Sequence, residues 1–140
     1  HIIIQVFLDE LQTQVTQGLI RSYITVEDCL ARPRGRLNLA RQLRLGRAQM
    51  HQIHCEFDEL TADNVHNQAV KAALAVARQC LRKSSSLVSQ ADRLAFTVEE
   101  VSSKTVTATD IAALSVSRLT QRYGRLLLLS SWLLQLSGPD

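Results

Sequence analysis

Aromatic residues are scarce in this chain, 4% of its 140 residues, so any core must be built from aliphatic side chains. Cysteine is rarer still. The three present, Cys29, Cys55 and Cys80, are odd in number and show no paired spacing, which argues against a disulfide scaffold and for a reducing, cytoplasmic compartment. No apolar run approaches the ~20 residues of a bilayer span. The longest, Leu126 to Leu136, is broken by Ser130, Ser131 and Gln135, so no membrane segment is expected. His1 to Phe7 lack the basic flank and cleavage site of a signal peptide, and the chain starts without methionine, as expected of a truncated piece.

The missing motifs exclude several chemistries. No glycine is followed by lysine, so the loop in which backbone amides and a lysine cradle a nucleotide phosphate is absent. No histidine is followed by glutamate and no serine sits in a Gly-x-Ser-x-Gly elbow, which removes the helical zinc proteases and the α/β-hydrolases. The only lysines are Lys71, Lys83 and Lys104, preceded two positions earlier by Ala69, Leu81 and Ser102. There is thus no acid-x-lysine unit to hold a metal and a water for phosphodiester hydrolysis.

What is present is a globular balance of 46% hydrophobic against 21% charged residues, and a chain this long can bury roughly two thirds of its unfolded surface. Ile4, Phe7, Leu8, Leu11 and Val15 share one helical face, with Gly18 at the capping position, predicting a helix over 2–17. Ser22 to Asp28 is rich in β-branched residues, and Leu37 and Leu39 alternate with Arg36 and Asn38, predicting two short strands in a hairpin. A third extended stretch, 49–57, has Met50, Ile53 and Phe57 on mixed parity. Thr61, Asp63 and Asn64 are N-cap types ahead of the stripe Val65, Ala69, Val70, Ala73, Leu74, Ala77 and Leu81. That helix is expected to be capped by Asp63 or Asn64, with Asn67 bonding locally near its start. Its alanines, Ala72, Ala73, Ala75 and Ala77, suggest a central place in a bundle. A shorter helix follows over 87–96, then a loop. A last helical stretch starts at Thr109 and Asp110, as one helix or as two with a bend near Ser117, and stops at Gly138 and Pro139. The expected fold is α+β, a single domain or fragment, mostly helical, with a small antiparallel β-hairpin near the N-terminal third and three to five helices.

Two clusters invite a metal and neither is completed. In an extended chain His51 and His54 face opposite ways, and Cys55 has no second cysteine pair, so no metal site is expected there. Glu56, Asp58, Glu59 and Asp63 are better read as a solvated strand edge and a helix cap than as a magnesium site. The strongest charge feature is Arg32, Arg34, Arg36, Arg41, Arg44 and Arg47, with no acid between Asp28 and Glu56. Arginine favours bidentate contact with phosphate or carboxylate, and Pro33 and Gly35 expose the first three side chains. Nucleic acid, a nucleotide phosphate on a partner, an acidic protein face or plain solvent can each answer this run. The absence of aromatics within it argues against a single-strand stacking platform.

Together, GLIRSYITVEDCLARPRGRLNLARQL and HCEFDELTADNVHNQAVKAALAVA resemble the middle region of the McrC family, nuclease subunits of McrBC 5-methylcytosine restriction systems. The resemblance rests on an ordered set. Gly18 and Leu19 end a helix, and Tyr23 lies on the strand after it. Arg34, Gly35 and Arg36 make the turn, Phe57, Asp58 and Glu59 the acidic stretch, and Asp63 with Asn67 opens a helix. Arg118, Arg122, Tyr123, Leu126 and Leu127 fit the helix that precedes the family's nuclease domain. The resemblance implies a β-rich region before this one and a PD-(D/E)xK nuclease after it, neither within these residues. It implies docking on, and stimulation of, a hexameric McrB-like AAA+ GTPase, with DNA reached through the complex. GTP and magnesium then belong to the partner and the nuclease domain, and no cofactor to this region. The alternative is a helical module whose arginines contact DNA phosphates without any role toward a GTPase.

Overall fold

The computed structural model describes residues 2–30, 35–44, 53–83, 85–114, 117, 118 and 120–136. In chain order the elements are α1 (Ile2–Gln17), β1 (Ser22–Leu30), β2 (Arg36–Leu37), α2 (Leu39–Gln42), β3 (Ile53–Thr61), α3 (Val65–Cys80), α4 (Leu87–Thr97), α5 (Ala108–Ala112), a 3-10 turn (Gln121–Tyr123) and α6 (Gly124–Leu136). The expected class, α+β and mostly helical, is the one observed. The chain divides into a helical unit, residues 1–20 with 62–140, and a β unit, residues 21–61.

In the helical unit the apolar stripes are buried over most of their length, with Val15 and Leu81 half-buried at their ends and Val65 exposed. Ile4, Phe7, Leu8 and Leu11 of α1 join Ala69, Val70, Ala73, Leu74 and Ala77 of α3 in one core with Leu126, Leu127, Leu129, Leu133 and Leu134 of α6. Each large aliphatic side chain so buried is worth about 1.5–3 kcal/mol. Gly18 ends α1 at a φ of 101°, a conformation in which a side chain is strained, and its N–H reaches the Val15 carbonyl at 3.0 Å. The alanines do not make α3 the sole centre. Ala73 and Ala77 are buried but Ala75 is exposed, and α6 packs against α1, α3 and α5. α6 takes that place because leucines on most of its circumference leave little polar face to turn outward. Its buried Ser130 is satisfied by the Leu126 carbonyl at 2.8 Å.

The last helical stretch begins earlier than Thr109 and is broken. Thr107 caps α5, its hydroxyl accepting from the Asp110 N–H at 3.2 Å while the Asp110 carboxylate accepts from the Thr107 N–H at 2.9 Å. After α5 ends, the Thr120 hydroxyl accepts from the Ser117 N–H at 2.8 Å, and the 3-10 turn leads into α6.

The β unit departs from the expected hairpin. β1 and β2 do not pair with each other; the strand order is β1-β3-β2, with both outer strands antiparallel to β3. β1 and β3, nine residues each, pair along their whole length, and the two-residue β2 adds to the other edge of β3. Its start at Ile53 removes the parity conflict seen in the sequence, since Ile53, Cys55 and Phe57 then share one face; Met50 lies outside the described residues. Leu39 is not on a strand but opens α2, because the Asn38 side chain accepts from the Arg41 N–H at 3.1 Å and caps a helical turn.

Candidate functional site

The arginine run lies on the β unit. Of its six members, Arg36, Arg41 and Arg44 are described and all three are exposed; Arg32, Arg34 and Arg47 lie outside the described residues. The expectation that the run is uncompensated needs correcting. Arg36 stands 3.8 Å from Glu56, its register partner on β3, and Arg41 stands 3.6 Å from Glu27 on β1. A sheet brings together charges that are 14 to 20 positions apart in the chain, so acid-free sequence is not acid-free space. Both pairs are exposed and long, and such pairs contribute at most about 1 kcal/mol. The cationic character of the tip therefore persists, and Arg44 has no ion-pair partner among the described residues.

Gly35 makes this geometry possible. Its φ is +67°, and a Cβ there would lie 2.4 Å from the Glu56 carbonyl oxygen and 2.7 Å from the Phe57 Cβ. Conformation and space both require glycine, and with it β2 runs flush against β3. The next segment is latched to β3 as well. The Asn38 N–H donates to the His54 carbonyl at 2.9 Å, and the Gln42 side-chain oxygen accepts from the His54 N–H at 2.7 Å. The arginines at 36, 41 and 44 are thus carried on a turn held at both ends. Asn38 and Gln42 are the residues the sequence reading missed here; the Asn-x-x-Arg spacing of a cap was the available signal.

The other candidate ligands do not assemble. His54 and Cys55 are buried neighbours on β3, His51 lies outside the described residues, and no group of three metal-ligating side chains occurs among the described residues. Asp58 accepts from the Thr25 hydroxyl at 3.1 Å, Glu56 faces Arg36, and Asp63 belongs to the helical unit.

The structure places Asp63, Asn64 and Asn67 in three distinct roles at the start of α3. Asn64 is the cap, its Oδ1 accepting from the Asn67 N–H at 3.0 Å. Its Nδ2 donates to the Ile20 carbonyl at 3.0 Å. Asn67 donates to the carbonyls of Ile20 at 2.9 Å and Ala62 at 2.8 Å, and its Oδ1 accepts from the Tyr123 hydroxyl at 2.7 Å. That hydroxyl in turn accepts from the Ile20 N–H at 3.1 Å. Burial pushes the Tyr123 phenol above its ordinary range, although the Ile20 N–H and the charge of Arg122 act against it. Asp63 turns away to the loop beyond α4. The Ser102 hydroxyl holds its carboxylate below the ordinary range, with help from Gln68 and the Ser102 N–H. Arg122 closes the C-terminal end of α1, donating to Gln14 at 2.7 Å, to Gln17 at 3.3 Å and to the Gly18 carbonyl, with its guanidinium 5.5 Å from the Tyr123 ring centre. This network orders the helical unit around residues the sequence had marked only in part.

The fold and surface thus define a class: a mostly helical α+β module with an exposed cationic tip on a three-stranded sheet. The chain belongs to the family of McrBC 5-methylcytosine restriction system components, whose profile matches residues 1–139. Among solved structures it is similar to a chain in the cryo-EM structure of the Thermococcus gammatolerans McrBC complex. The TM-score is 0.77 at 24% identity, over 91% of this chain and 39% of that one. A refined half-complex from the tetradecameric assembly of McrB AAA+ hexamers with bound McrC, from the same organism, contains a chain matched with the same score, identity and cover of this chain, over 31% of its own length. The chain therefore spans about a third of those it matches, and at this identity the likeness is one of fold. No curated protein matches it in sequence. No described helix is long and apolar enough to cross a membrane.

Proposed function

We propose that this chain is the region of an McrC-like subunit that docks on an McrB-like AAA+ GTPase hexamer in the cytoplasm, stimulates its GTP hydrolysis and links it to a nuclease domain. The observation that carries this reading is the exposed Arg36, Arg41 and Arg44 on a turn latched to β3, in a chain whose whole length matches the family profile. Arg32, Arg34 and Arg47, members of the same run in the sequence, are assigned the same role in this reading. The region does no catalysis of its own: it lacks the phosphate loop and the acid-x-lysine unit, so purified alone it cleaves no DNA and hydrolyses no GTP. An arginine that reaches the partner's nucleotide would raise its rate about a thousandfold or more, as arginine fingers do. Docking that reshapes the ring serves the same end. DNA is reached through the assembled complex.

The test is Arg34→Ala with Arg36→Ala in the full-length subunit, with ring binding, stimulated GTP hydrolysis and DNA affinity measured separately. Loss of the first two with DNA affinity intact supports the proposal. A fall in DNA affinity alone, alike for all sequences, transfers the surface to DNA; engagement of all six arginines would then give a logarithmic salt slope of about −5. No change in any assay leaves the arginines as a solvated basic face.

A further inference from the structure

We infer that the tip docks through its leucines, Leu39 and Leu43 forming an apolar anchor that seats in a carboxylate-rimmed apolar pocket of the AAA+ partner. This rests on the docking reading above and adds the contact that supplies affinity. Leu39 is 64% and Leu43 85% exposed. They stand one helical turn apart, the Leu43 N–H donating to the Leu39 carbonyl at 3.0 Å, so both side chains project from one face of α2. A lone exposed leucine needs no explanation. Two in register on a turn held in place are different. The Asn38 cap, the Asn38 to His54 bond and the Gln42 to His54 bond fix α2 from both ends and hold the pair in water. An ordered anchor loses little conformational freedom on binding, which is what a docking contact requires.

Charge selects the partner. Residues 35–44 contain Arg36, Arg41 and Arg44 and no acid, and the two carboxylates that approach them do so only at 3.6 and 3.8 Å. An apolar pair on a segment whose only charges are guanidinium groups complements an apolar pocket rimmed by aspartate or glutamate, the usual division of an interface into a dry centre and a polar rim. A nucleic acid backbone would satisfy the arginines and leave both leucines in water.

The experiment uses the full-length subunit and its AAA+ partner, with binding titrated at two salt concentrations. Each leucine removed from a buried contact raises Kd about tenfold or more. Leu39→Ser with Leu43→Ser is therefore expected to weaken ring binding about 100-fold, while Leu43→Met stays within about threefold of the parent. Arg36→Ala with Arg41→Ala should weaken ring binding as well and reduce its salt dependence, which the leucine variants leave unchanged. Because the leucines are exposed, the double variant should melt as the parent does, and Leu43→Gln alone gives a second reading of the same contact. Parental ring affinity in both leucine variants overturns the anchor and leaves the docking proposal standing. A parent that does not bind the ring overturns both. A double variant that loses DNA affinity and keeps ring affinity transfers the leucines to a nucleic acid contact and overturns the anchor as stated.

Discussion

Replacing Tyr123 by phenylalanine removes one oxygen atom and tests whether the helical unit is organised around it. The hydroxyl stands between the Asn67 side-chain oxygen at 2.7 Å and the Ile20 N–H at 3.1 Å, and all three residues are buried. Phenylalanine fills the same space, so no cavity term enters. What remains is the cost of two buried polar groups left without this partner, about 1–3 kcal/mol each. The Asn67 amide nitrogen keeps its bonds to the Ile20 and Ala62 carbonyls, which limits how far Asn67 can turn to find another donor. We expect a loss of about 2–4 kcal/mol. For a domain of this size that lowers Tm by roughly 5–15 °C. The pH dependence has a defined sign. The phenol titrates higher folded than unfolded, so its stabilising contribution is complete below the unfolded value, near 10, and is lost as pH rises through the folded value. Urea melts from pH 7 into the alkaline range should show the parent losing stability where Tyr123→Phe does not. If the variant matches the parent within ~0.5 kcal/mol at pH 7, the hydroxyl is not the keystone argued here.

Three further perturbations separate causes that the sequence merges. At Asn64, aspartate and serine preserve the capping acceptor but remove the donor to the Ile20 carbonyl; both should cost ~1 kcal/mol or more in a thermal melt, aspartate the more because its charge faces a carbonyl. Gly35→Ala must adopt a φ of +67° and displace the Glu56 backbone, so faster hydrogen exchange at Arg36 and Leu37 is expected with the helical unit unchanged; parental exchange rates would disprove the constraint. Asp63 titrates lower folded than unfolded, so the stability it adds is present above the unfolded value, near 4, and fades as pH falls through the folded one. Asp63→Asn should therefore flatten the acid side of the stability curve, and an unchanged curve would show that Ser102 does not hold the carboxylate.

Much of the helical unit was legible because helical periodicity is local. Five apolar positions on one face announce α1, and the stripe from Ala69 to Ala77 announces the buried face of α3, since 3.6 residues per turn convert spacing into burial. Caps were half legible. Thr61, Asp63 and Asn64 marked the start of α3 but not which side chain caps it, because all three residue types accept from a backbone N–H. The choice fell to Asn64 because only an amide can also donate to the Ile20 carbonyl, 44 residues away. The strands were harder. The segments around Thr25 and Leu37 read as extended neighbours, yet sequence adjacency proposes a hairpin, and the partner of both proved to be β3. The resemblance in the Arg34, Gly35 and Arg36 turn was readable without any account of why glycine stands there.

Composition, periodicity and missing motifs thus determined the class of fold, the aliphatic core, the absence of nucleotide-cradling and acid-x-lysine chemistry within these residues, and the arginine run. Tertiary structure alone decided the strand order, the pairing of Arg36 with Glu56 and Arg41 with Glu27, the latching of α2 to His54 and the Tyr123 network. The physical reason is range. Helix formation and capping are set by bonds between residues three or four apart, whereas strand pairing joins residues 18 to 39 positions apart and the buried Tyr123 network reaches across 103. Their partners are chosen by register and burial, which no local pattern encodes.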